Sequence, residues 1–282
     1  MPQKVIELLK NAAQANLSDP FRKGNIVTLP PEGSLVVAGD IHGHQRNFER
    51  IVKFADLDNN PQTHLILQEI IHGGQEDQQG GCLSYKLIFQ AAELKLKFPD
   101  RVHFLMGNHD TAFLTGGKVL KNGKEMNLAL ECALKNQYGH SCAEVTQSLK
   151  DFLFSQPLAA KTKNRIWLSH SLPANRYAPT FDYQIFQRPL TLDDLQKPGS
   201  AYTLTWGREH SKQTLDTLAA ALDVDFFILG HQTQPAGFAK LAENLIILAS
   251  EHAHGHIIKF DLKTKYTIDE LLSLIIPLAS IA

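Results

Sequence analysis

The 282-residue sequence has little cysteine, no excess charge of either sign and no apolar run long enough to span a bilayer. Its three cysteines, Cys82, Cys132 and Cys142, form no CxxC pair, which argues against a disulfide framework and indicates a reducing compartment. The 28 basic and 29 acidic side chains nearly cancel, so no basic field exists to hold a nucleic acid. The apolar run Leu271–Ala282 is too short to cross a membrane. We therefore expect neither a nucleic-acid nor a membrane partner.

The apolar content, 43%, is enough for a sizeable core and excludes wholesale disorder. The stretch Met1–Asn16 spaces apolar residues as an amphipathic helix does, which distinguishes it from a signal peptide. Repeats, low-complexity tracts and Gly/Ser linkers are lacking. The sequence predicts one cytoplasmic domain over residues 1–282, with a core at 34–262, a helical insertion at 110–156 and a C-terminal segment, 263–282, that docks on the core.

Six short apolar runs have the length and continuity of strands covered on both faces. These runs are Leu35–Ala38, Leu65–Leu67, Val102–Met106, Ile166–Leu168, Phe226–Leu229 and Leu245–Ala249. Helical stretches with one apolar face lie between several of them, for example around Phe48–Ala55 and Leu215–Leu222. This alternation predicts an α/β sheet protein. The run at 245–249 is followed by His256–Leu262 without room for a helix, which indicates antiparallel strands near the C terminus.

Five of the runs are followed by residues that can bind a metal. The segments that follow are Gly39-Asp40-Ile41-His42-Gly43, Gln68-Glu69-Ile70-Ile71-His72-Gly73-Gly74, Gly107-Asn108-His109-Asp110, Ser169-His170 and Gly230-His231. Sites in open α/β sheets form at the carboxyl ends of strands, so we expect these side chains to converge. Histidine nitrogens combined with carboxylate and amide oxygens suit manganese, iron or zinc better than calcium. A carboxylate between two such ions can bridge them at about 3.5–4 Å.

The ordered motifs GDIHG, GNHD, SH and GH resemble the signature of the calcineurin-like metallophosphoesterases. Within that superfamily the chain is most similar to the phosphoprotein phosphatases, which include serine/threonine phosphatases and symmetrical dinucleoside tetraphosphate hydrolases. The resemblance spans roughly residues 35–262. It implies an α/β fold of the metallophosphatase type, a sandwich of two mixed β-sheets flanked by helices.

The resemblance also implies a role for each motif residue. The six implied metal ligands are Asp40 and His42 on one ion, Glu69 as the bridge, and Asn108, His170 and His231 on the other. His109 would protonate the leaving oxygen as general acid, while Arg208 and Asn108 would contact the phosphate. The implied reaction is in-line attack of a metal-bound hydroxide on a phosphomonoester. The implied cofactors are two divalent ions, manganese first, with iron or zinc as alternatives.

The second motif departs from the family pattern Gly-Asp-x-x-Asp-Arg-Gly. Glu69 is one methylene longer than the family's aspartate, His72 replaces the aspartate that orients the catalytic histidine, and Gly73 replaces a phosphate-binding arginine. The acidic loop that follows contains Glu76 and Asp77. Two interpretations of this loop stay open: it supplies the missing carboxylate, or it is simply solvated.

Three functions are compatible with these motifs. The first is a serine/threonine-phosphatase-like enzyme, acting on a phosphorylated protein or a small phosphorylated metabolite. The second is a symmetrical dinucleoside polyphosphate hydrolase, and the third is a catalytically weak module that binds phosphate. A deep aromatic pocket near Arg208 and Tyr177–Phe186 would favour nucleotides, whereas an open groove would favour peptides.

The remaining histidines carry less information. His252, His254 and His256 alternate, so a strand would place them on one face, with His252 directed at the metals or at solvent. Those without motif context are expected to be structural, namely His44, His64, His103, His140 and His210.

Overall fold

The computed structural model describes residues 2–121 and 123–281. Two expected boundaries, the helix start at Met1 and the end of the docking segment at Ala282, lie outside these residues. The helices are α1 (Pro2–Leu17), α2 (Gln45–Ala55), α3 (Ser84–Lys97), α4 (Asn108–Thr115), α5 (Met126–Tyr138), α6 (Cys142–Phe154), α7 (Ser200–Trp206), α8 (Lys212–Leu222) and α9 (Ile268–Ser273). The strands are β1 (Arg22–Lys23), β2 (Ile26–Thr28), β3 (Ser34–Asp40), β4 (Thr63–Gln68), β5 (Val102–Leu105), β6 (Leu120–Lys121), β7 (Lys124–Glu125), β8 (Ala159–Lys161), β9 (Ile166–Ser169), β10 (Phe226–Leu229), β11 (Phe238–Ala242), β12 (Leu245–Leu248), β13 (His256–Asp261) and β14 (Ile275–Pro277).

The strands form two mixed sheets and one small hairpin. The larger sheet has the order β1-β2-β8-β9-β10-β12-β11, and the smaller has the order β14-β13-β3-β4-β5. Central pairs run parallel, as β3–β4, β4–β5, β9–β10 and β10–β12 do, while the strands toward the edges add antiparallel pairs. The sandwich of two mixed sheets that the resemblance implied is confirmed.

Apolar side chains fill the space between the sheets and cover both outer faces. Val37 and Ile66 of the smaller sheet share one buried cluster with Leu168 and Ile228 of the larger sheet. The other face of the smaller sheet packs against α1, α2, α3, α5 and α6, and that of the larger sheet packs against α7 and α8. Each of the central strands is thus covered on both sides, which explains their continuous apolar runs. Across the described ranges, every helix is too short or too polar to span a membrane.

The two sheets meet at the carboxyl end of β3. Asp40 forms an isolated parallel bridge with Ala249, the residue after β12. A Cβ atom on Gly39 would lie 2.2 Å from the carbonyl oxygen of Leu248, so only glycine permits this approach. As a result, the strand ends of both sheets open onto one common rim.

The antiparallel strands expected near the C terminus are present, but they lie in different sheets. β12 and β13 do not pair with each other, because β12 runs parallel to β10 while β13 lies antiparallel to β3 in the other sheet. The antiparallel neighbour of β12 is β11. This strand is partly exposed and contains polar residues, so it does not form an apolar run in the sequence. Residues 251–255 form a turn, so His252, His254 and His256 do not share a strand face.

The segment between α4 and α6 includes a β-hairpin that the sequence did not predict. β6 and β7 pair just before α5, and the Glu125 side chain accepts hydrogen bonds from the backbone N–H groups of Asn127 and Leu128 at the start of that helix. Farther along, residues 171–199 form a long connection with three short 3₁₀ turns. Arg188 ties this connection together through ion pairs with Asp182 (3.2 Å) and Asp194 (2.6 Å).

Candidate active site

The strand ends bring the motif residues of both sheets to the common rim. Asp40 is the last residue of β3, Glu69 follows β4, and Asn108 begins α4 after β5. From the larger sheet, His170 follows β9 and His231 lies two residues beyond β10. Ligand-type atoms of Asp40, Glu69 and His170 all lie within 4.8 Å of one another. These three side chains, which come from both sheets, therefore lie together at the rim.

Four side-chain atoms, from Glu69, Asn108, His170 and His231, converge beside Asp40. Oδ1 of Asn108 lies 2.8 Å from Nε2 of His170 and 2.8 Å from Nδ1 of His231. Oε2 of Glu69 lies 2.7 Å from the same His170 nitrogen. The Glu69 carboxylate thus lies within reach of both Asp40 and His170, as a carboxylate that bridges two ions would need to.

Gln68 determines which nitrogen of His170 carries the proton. Its amide Nε2 donates to the carbonyl oxygen of Ala38 (3.0 Å), which leaves Oε1 facing Nδ1 of His170 at 2.9 Å. Because that oxygen can only accept, Nδ1 of His170 is the protonated nitrogen. The lone pair of Nε2 then faces the oxygens of Glu69 and Asn108. Acceptors that face one another in this way repel unless a proton or a cation lies between them, and a bound metal would supply the cation.

His42 is oriented in the same manner. Its Nδ1 lies 3.1 Å from the carbonyl oxygen of Ile71 and 3.0 Å from that of His72. Both partners only accept, so Nδ1 carries the proton and the Nε2 lone pair is free. That nitrogen lies 3.9 Å from Oδ2 of Asp40. The pair can serve as two ligands of one ion.

The electrostatics of the rim also fit a metal. Burial raises the pKa of Asp40 to about 7 and that of Glu69 to about 8, because each carboxylate would be charged in an enclosed space. Asp40 is further affected by the negative charges of Glu69 and Glu251. A divalent cation removes this penalty and keeps both groups ionised. The donor set of carboxylate, imidazole and amide is suited to manganese, iron or zinc.

The backbone at the rim is held in unusual conformations. Four site residues have left-handed backbones: His42 (φ 44°), Glu69 (φ 47°), His72 (φ 63°) and His231 (φ 66°). Such strain in non-glycine residues is typical of functional sites. Glu69 also needs space, since a Cβ on Gly107 would lie 2.7 Å from its carboxylate. Glycine at 107 therefore accommodates a side chain one methylene longer than the family's aspartate.

His109 lies beside the metal-type cluster and contacts His72. Its backbone N–H donates to Oε1 of Glu69 (2.7 Å), and its Nδ1 lies 2.9 Å from Nδ1 of His72. Burial lowers the pKa of His72 to about 3 and holds the pKa of His109 well below its usual range. His72 thus occupies the contact that the family's aspartate would make, without supplying a negative charge.

A cavity of about 250 Å³ opens next to the cluster. It is lined by Tyr177, Tyr202, Trp206 and Arg208, among others. The rings of Tyr202 and Trp206 stack with centroids 5.5 Å apart, and Trp206 meets His231 edge-on at 6.4 Å. Arg208 is exposed. Burial of the His231 ring is the main cause of its low pKa, and the positive charge of Arg208 lowers that pKa further. The position is that of a cation available to a bound anion.

A family model described as calcineurin-like phosphoesterase matches residues 33–235. The chain belongs to the calcineurin-like phosphoesterase family. It is 26% identical over 170 residues to the serine/threonine-protein phosphatase PP2A-like PPG1 of Candida albicans, an alignment that covers 60% of this chain and 35% of that relative. The chain therefore spans about a third of that relative's length. Metal dependence and hydrolysis of phosphorylated substrates are properties of this family of hydrolases.

Solved structures show the same fold. A Saccharomyces cerevisiae protein serine/threonine phosphatase with similarity to human phosphatase PP5 superposes with a TM-score of 0.67 at 16% identity, covering 92% of this chain and 82% of that one. A cold-active protein-tyrosine phosphatase from a Shewanella species gives a TM-score of 0.57 at 15% identity, covering 89% and 80%. At these identities the likeness concerns the fold alone.

The acidic loop of this phosphoesterase does not supply the carboxylate that the second motif lacks. Glu76 forms an ion pair with Lys124 (2.8 Å), and Oδ1 of Asp77 accepts the backbone N–H groups of Gln79 and Gly81. Both acidic side chains thus have partners other than the motif residues. His252 is also engaged elsewhere, with Nε2 at 2.9 Å from the carbonyl oxygen of Gln234.

Steric contact explains why position 73 is a glycine and not the family's arginine. A Cβ there would lie 2.6 Å from the carbonyl oxygen of His42, and its φ of 108° favours glycine. The neighbouring turns are therefore in backbone contact, and the family's arginine does not fit. The charge of Lys121 on β6 also affects the site: burial raises the pKa of Glu69, and the charge of Lys121 opposes that rise. Burial lowers the pKa of His42 and of His109, and the charge of Lys121 adds to both effects.

Sequence reasoning missed three residues around the rim: Gln68, Lys121 and Glu251. Gln68 occupies a position where the family has glycine, and that departure was the available signal. Lys121 is distant in sequence from every motif, and only the β6–β7 hairpin reveals it. Glu251 lies in the turn after β12, where its charge affects the pKa of Asp40. The alternating histidines that follow gave a signal in the sequence, whereas Glu251 gave none.

Proposed function

We propose that this phosphoesterase hydrolyses a phosphomonoester at the common rim, with His109 as the general acid. The observation that supports it most directly is the convergence of Asp40, Glu69 and His170 within 4.8 Å, with His109 bound to Glu69. Ligand-type groups beside a positioned imidazole are the parts that metal-assisted phosphoryl hydrolysis requires.

Six side chains would hold two divalent ions, manganese first, with iron or zinc as alternatives. They are Asp40, His42, Glu69, Asn108, His170 and His231. When bound, the ions would acidify water and neutralise charge on the phosphoryl oxygens. The protein's own part is to keep the donors in place: Gln68 fixes the His170 tautomer, and the carbonyl oxygens of Ile71 and His72 fix that of His42.

The leaving oxygen needs a proton, and His109 is placed to provide it. Its Nδ1 is occupied by His72, so Nε2 is the nitrogen left for substrate. In the proposed step the Nε2–H bond of the imidazolium breaks and an O–H bond forms on the leaving group. Arg208 and the amide of Asn108 would hold the phosphate oxygens during this transfer.

We propose a phosphorylated serine/threonine protein or a small phosphorylated metabolite as the substrate. The similarity to a relative named serine/threonine-protein phosphatase supports the protein. The aromatic cavity beside Arg208 favours a second candidate, a dinucleoside polyphosphate, because Tyr202 and Trp206 can stack on a base. At about 250 Å³ the cavity is below the usual range for whole ligands, so it would hold one ring system.

Purified protein loaded with manganese tests the proposal on p-nitrophenyl phosphate, a phosphoserine peptide and diadenosine tetraphosphate. We expect turnover of the first two, and faster turnover of the third would favour the dinucleoside reaction. Elemental analysis should find about two metal ions per chain. Lack of turnover with manganese, iron and zinc, together with measurable phosphate binding, would overturn the enzyme and leave the phosphate-binding module. The proposal keeps the cytoplasmic location that the cysteine content predicts.

A further inference from the structure

The contact between His72 and His109 has two possible polarities. Their Nδ1 atoms are 2.9 Å apart, and in neutral imidazoles one must donate while the other accepts. If His109 donates from Nδ1, its Nε2 can take up and release a proton. If His109 accepts, its Nε2 already carries the only proton of a neutral ring, and giving it up would leave an imidazolate. Only the first polarity suits a general acid.

Which of the two histidines donates depends on whether Nε2, the other ring nitrogen of His72, carries a hydrogen and has an acceptor for it. Nε2 of His72 is buried and, among the described residues, makes no hydrogen bond of normal geometry. The Oδ1 atom of Asn127, near the start of α5, is also buried and lacks such a partner within the described part of the chain. Both residues contact α4 at adjacent positions, since the His72 ring meets Phe113 edge-on with centroids 6.4 Å apart and the Asn127 amide reaches the carbonyl oxygen of Ala112. The Asn127 oxygen can only accept, whereas an imidazole nitrogen can donate, and each buried atom costs free energy unless it is paired.

The amide of Asn127 cannot turn its nitrogen toward His72 without loss. Nδ2 donates to the carbonyl oxygens of Gly117 (2.6 Å) and Ala112 (3.3 Å), at the end of α4. The oxygen is therefore the atom left for His72. In agreement, burial lowers the pKa of His72, and the nearby amide of Asn127 acts against that lowering. His72 is itself held in place by its backbone N–H, which donates to Oγ of Ser84 (3.0 Å).

We propose that Asn127 is a positioning residue for the general acid: its Oδ1 accepts the Nε2–H of His72, so that Nδ1 of His72 accepts the Nδ1–H of His109. A histidine backed by an amide then takes the place of the family's aspartate. During proton transfer His72 stays neutral, and His109 keeps its Nδ1–H while its Nε2–H bond breaks. The effect of this arrangement on turnover rests on the proposed function, whereas the tautomer of His72 does not.

The first test is the tautomer itself, measured by ¹⁵N NMR on histidine-labelled protein without added metal. We expect His72 to be protonated at Nε2 in the wild type, and to lose that preference in Asn127→Leu. Asn136→Leu, an exposed asparagine on the same helix, is the matched control and should leave the spectrum of His72 unchanged. A wild-type His72 protonated at Nδ1 would overturn the inference, whether or not the protein is a phosphatase.

The second test is kinetic and separates positioning from simple structural damage. In the wild-type background Asn127→Leu should lower kcat on an alkyl phosphate by roughly tenfold or more, with little change in KM and a smaller effect on p-nitrophenyl phosphate. In the His72→Asp background, where a carboxylate accepts from His109 directly, the same change should cost less than about twofold. An equal loss in both backgrounds, or for both leaving groups, would mean that Asn127 only supports the fold. Turnover lacking in every variant would count against the proposed function and leave the tautomer result standing.

Discussion

Oε1 of Gln68 lies 2.9 Å from Nδ1 of His170, closer than Oδ1 of Asp40 at 3.5 Å, and this contact fixes which imidazole nitrogen faces the rim. Removing the acceptor by Gln68→Leu should free the ring to rotate and to change tautomer. Since partners of this kind are worth about 10–100-fold in metal affinity, we expect a loss of that order in manganese titration calorimetry. Gln187→Leu, at an exposed glutamine, is the control. Equal affinities in both variants would remove Gln68 from the site.

Glu69 can be tested by changing its reach. Glu69→Asp withdraws the carboxylate by one methylene while Gly107 leaves the space unfilled, so metal affinity should fall by roughly tenfold or more. Gly107→Ala provides the complementary change, because its Cβ would lie 2.7 Å from the carboxylate and displace it. Metal content by elemental analysis and calorimetry measures both. If Glu69→Asp binds metal as the wild type does, Glu69 is not a ligand.

His109→Asn removes the proton donor and leaves the cluster intact. Loss of a general acid costs about 10²–10⁴-fold, so kcat on a phosphopeptide should fall by that order while metal content stays the same. His140→Asn, outside the rim and exposed, should behave as the wild type. Full activity in His109→Asn would exclude it from the mechanism.

A buried ion pair far from the rim provides a stability test with a neighbouring control. Nζ of Lys95 lies 3.0 Å from Oδ2 of Asp19, and both side chains are almost fully buried. Lys95→Met leaves Asp19 without its cation and should lower the free energy of unfolding by about 3–5 kcal/mol. On the same helix, Lys97 pairs with Asp58 in solvent, and Lys97→Met should cost about 1 kcal/mol or less. Urea denaturation compares the two; similar losses would contradict the difference in burial.

The same network predicts how stability depends on pH. Burial alone would raise the pKa of Asp19, but the hydrogen bond to His103 and the charge of Lys95 hold it well below its usual range. The stabilisation is thus present above the unfolded pKa, about 3.9, and is lost as the pH falls below it. We expect the wild type and Asp19→Asn to differ most near pH 7 and to approach each other toward pH 3. A constant difference in urea denaturation would show that Asp19 does not titrate in this way.

The sequence predicted the strand-end motifs because they depend on local pattern. An apolar run followed by a small residue and a ligand-type residue predicts a strand with a site residue at its end, whatever follows in the chain. Asp40, His170 and His231 were identified in this way. The assignment of strands to sheets was less accessible: β12 and β13 are neighbours in sequence but belong to different sheets. The two sheets approach each other closely at Gly39, and no periodicity signals that approach.

Contacts between distant side chains could not be read from the sequence. Gln68 and Asn127 act through the amide orientation that carbonyl oxygens of other segments impose, at Ala38 in one case and Gly117 in the other. The aromatic cavity likewise depends on α7 lying beside His231. Motif spacing carries information about backbone geometry, whereas hydrogen-bond polarity is decided only after the chain has folded.

The tight packing of Gly73 against the turn at His42 limits what protein engineering can do here. Grafting the missing guanidinium back onto position 73 would drive its first carbon into a peptide oxygen 2.6 Å away. Rewriting the motif to match better-known phosphatases would therefore require rebuilding both turns together. A designer who wants a stronger cation near the phosphate should begin at Lys121, because its charge already acts on Glu69 and it lies outside both turns, on β6.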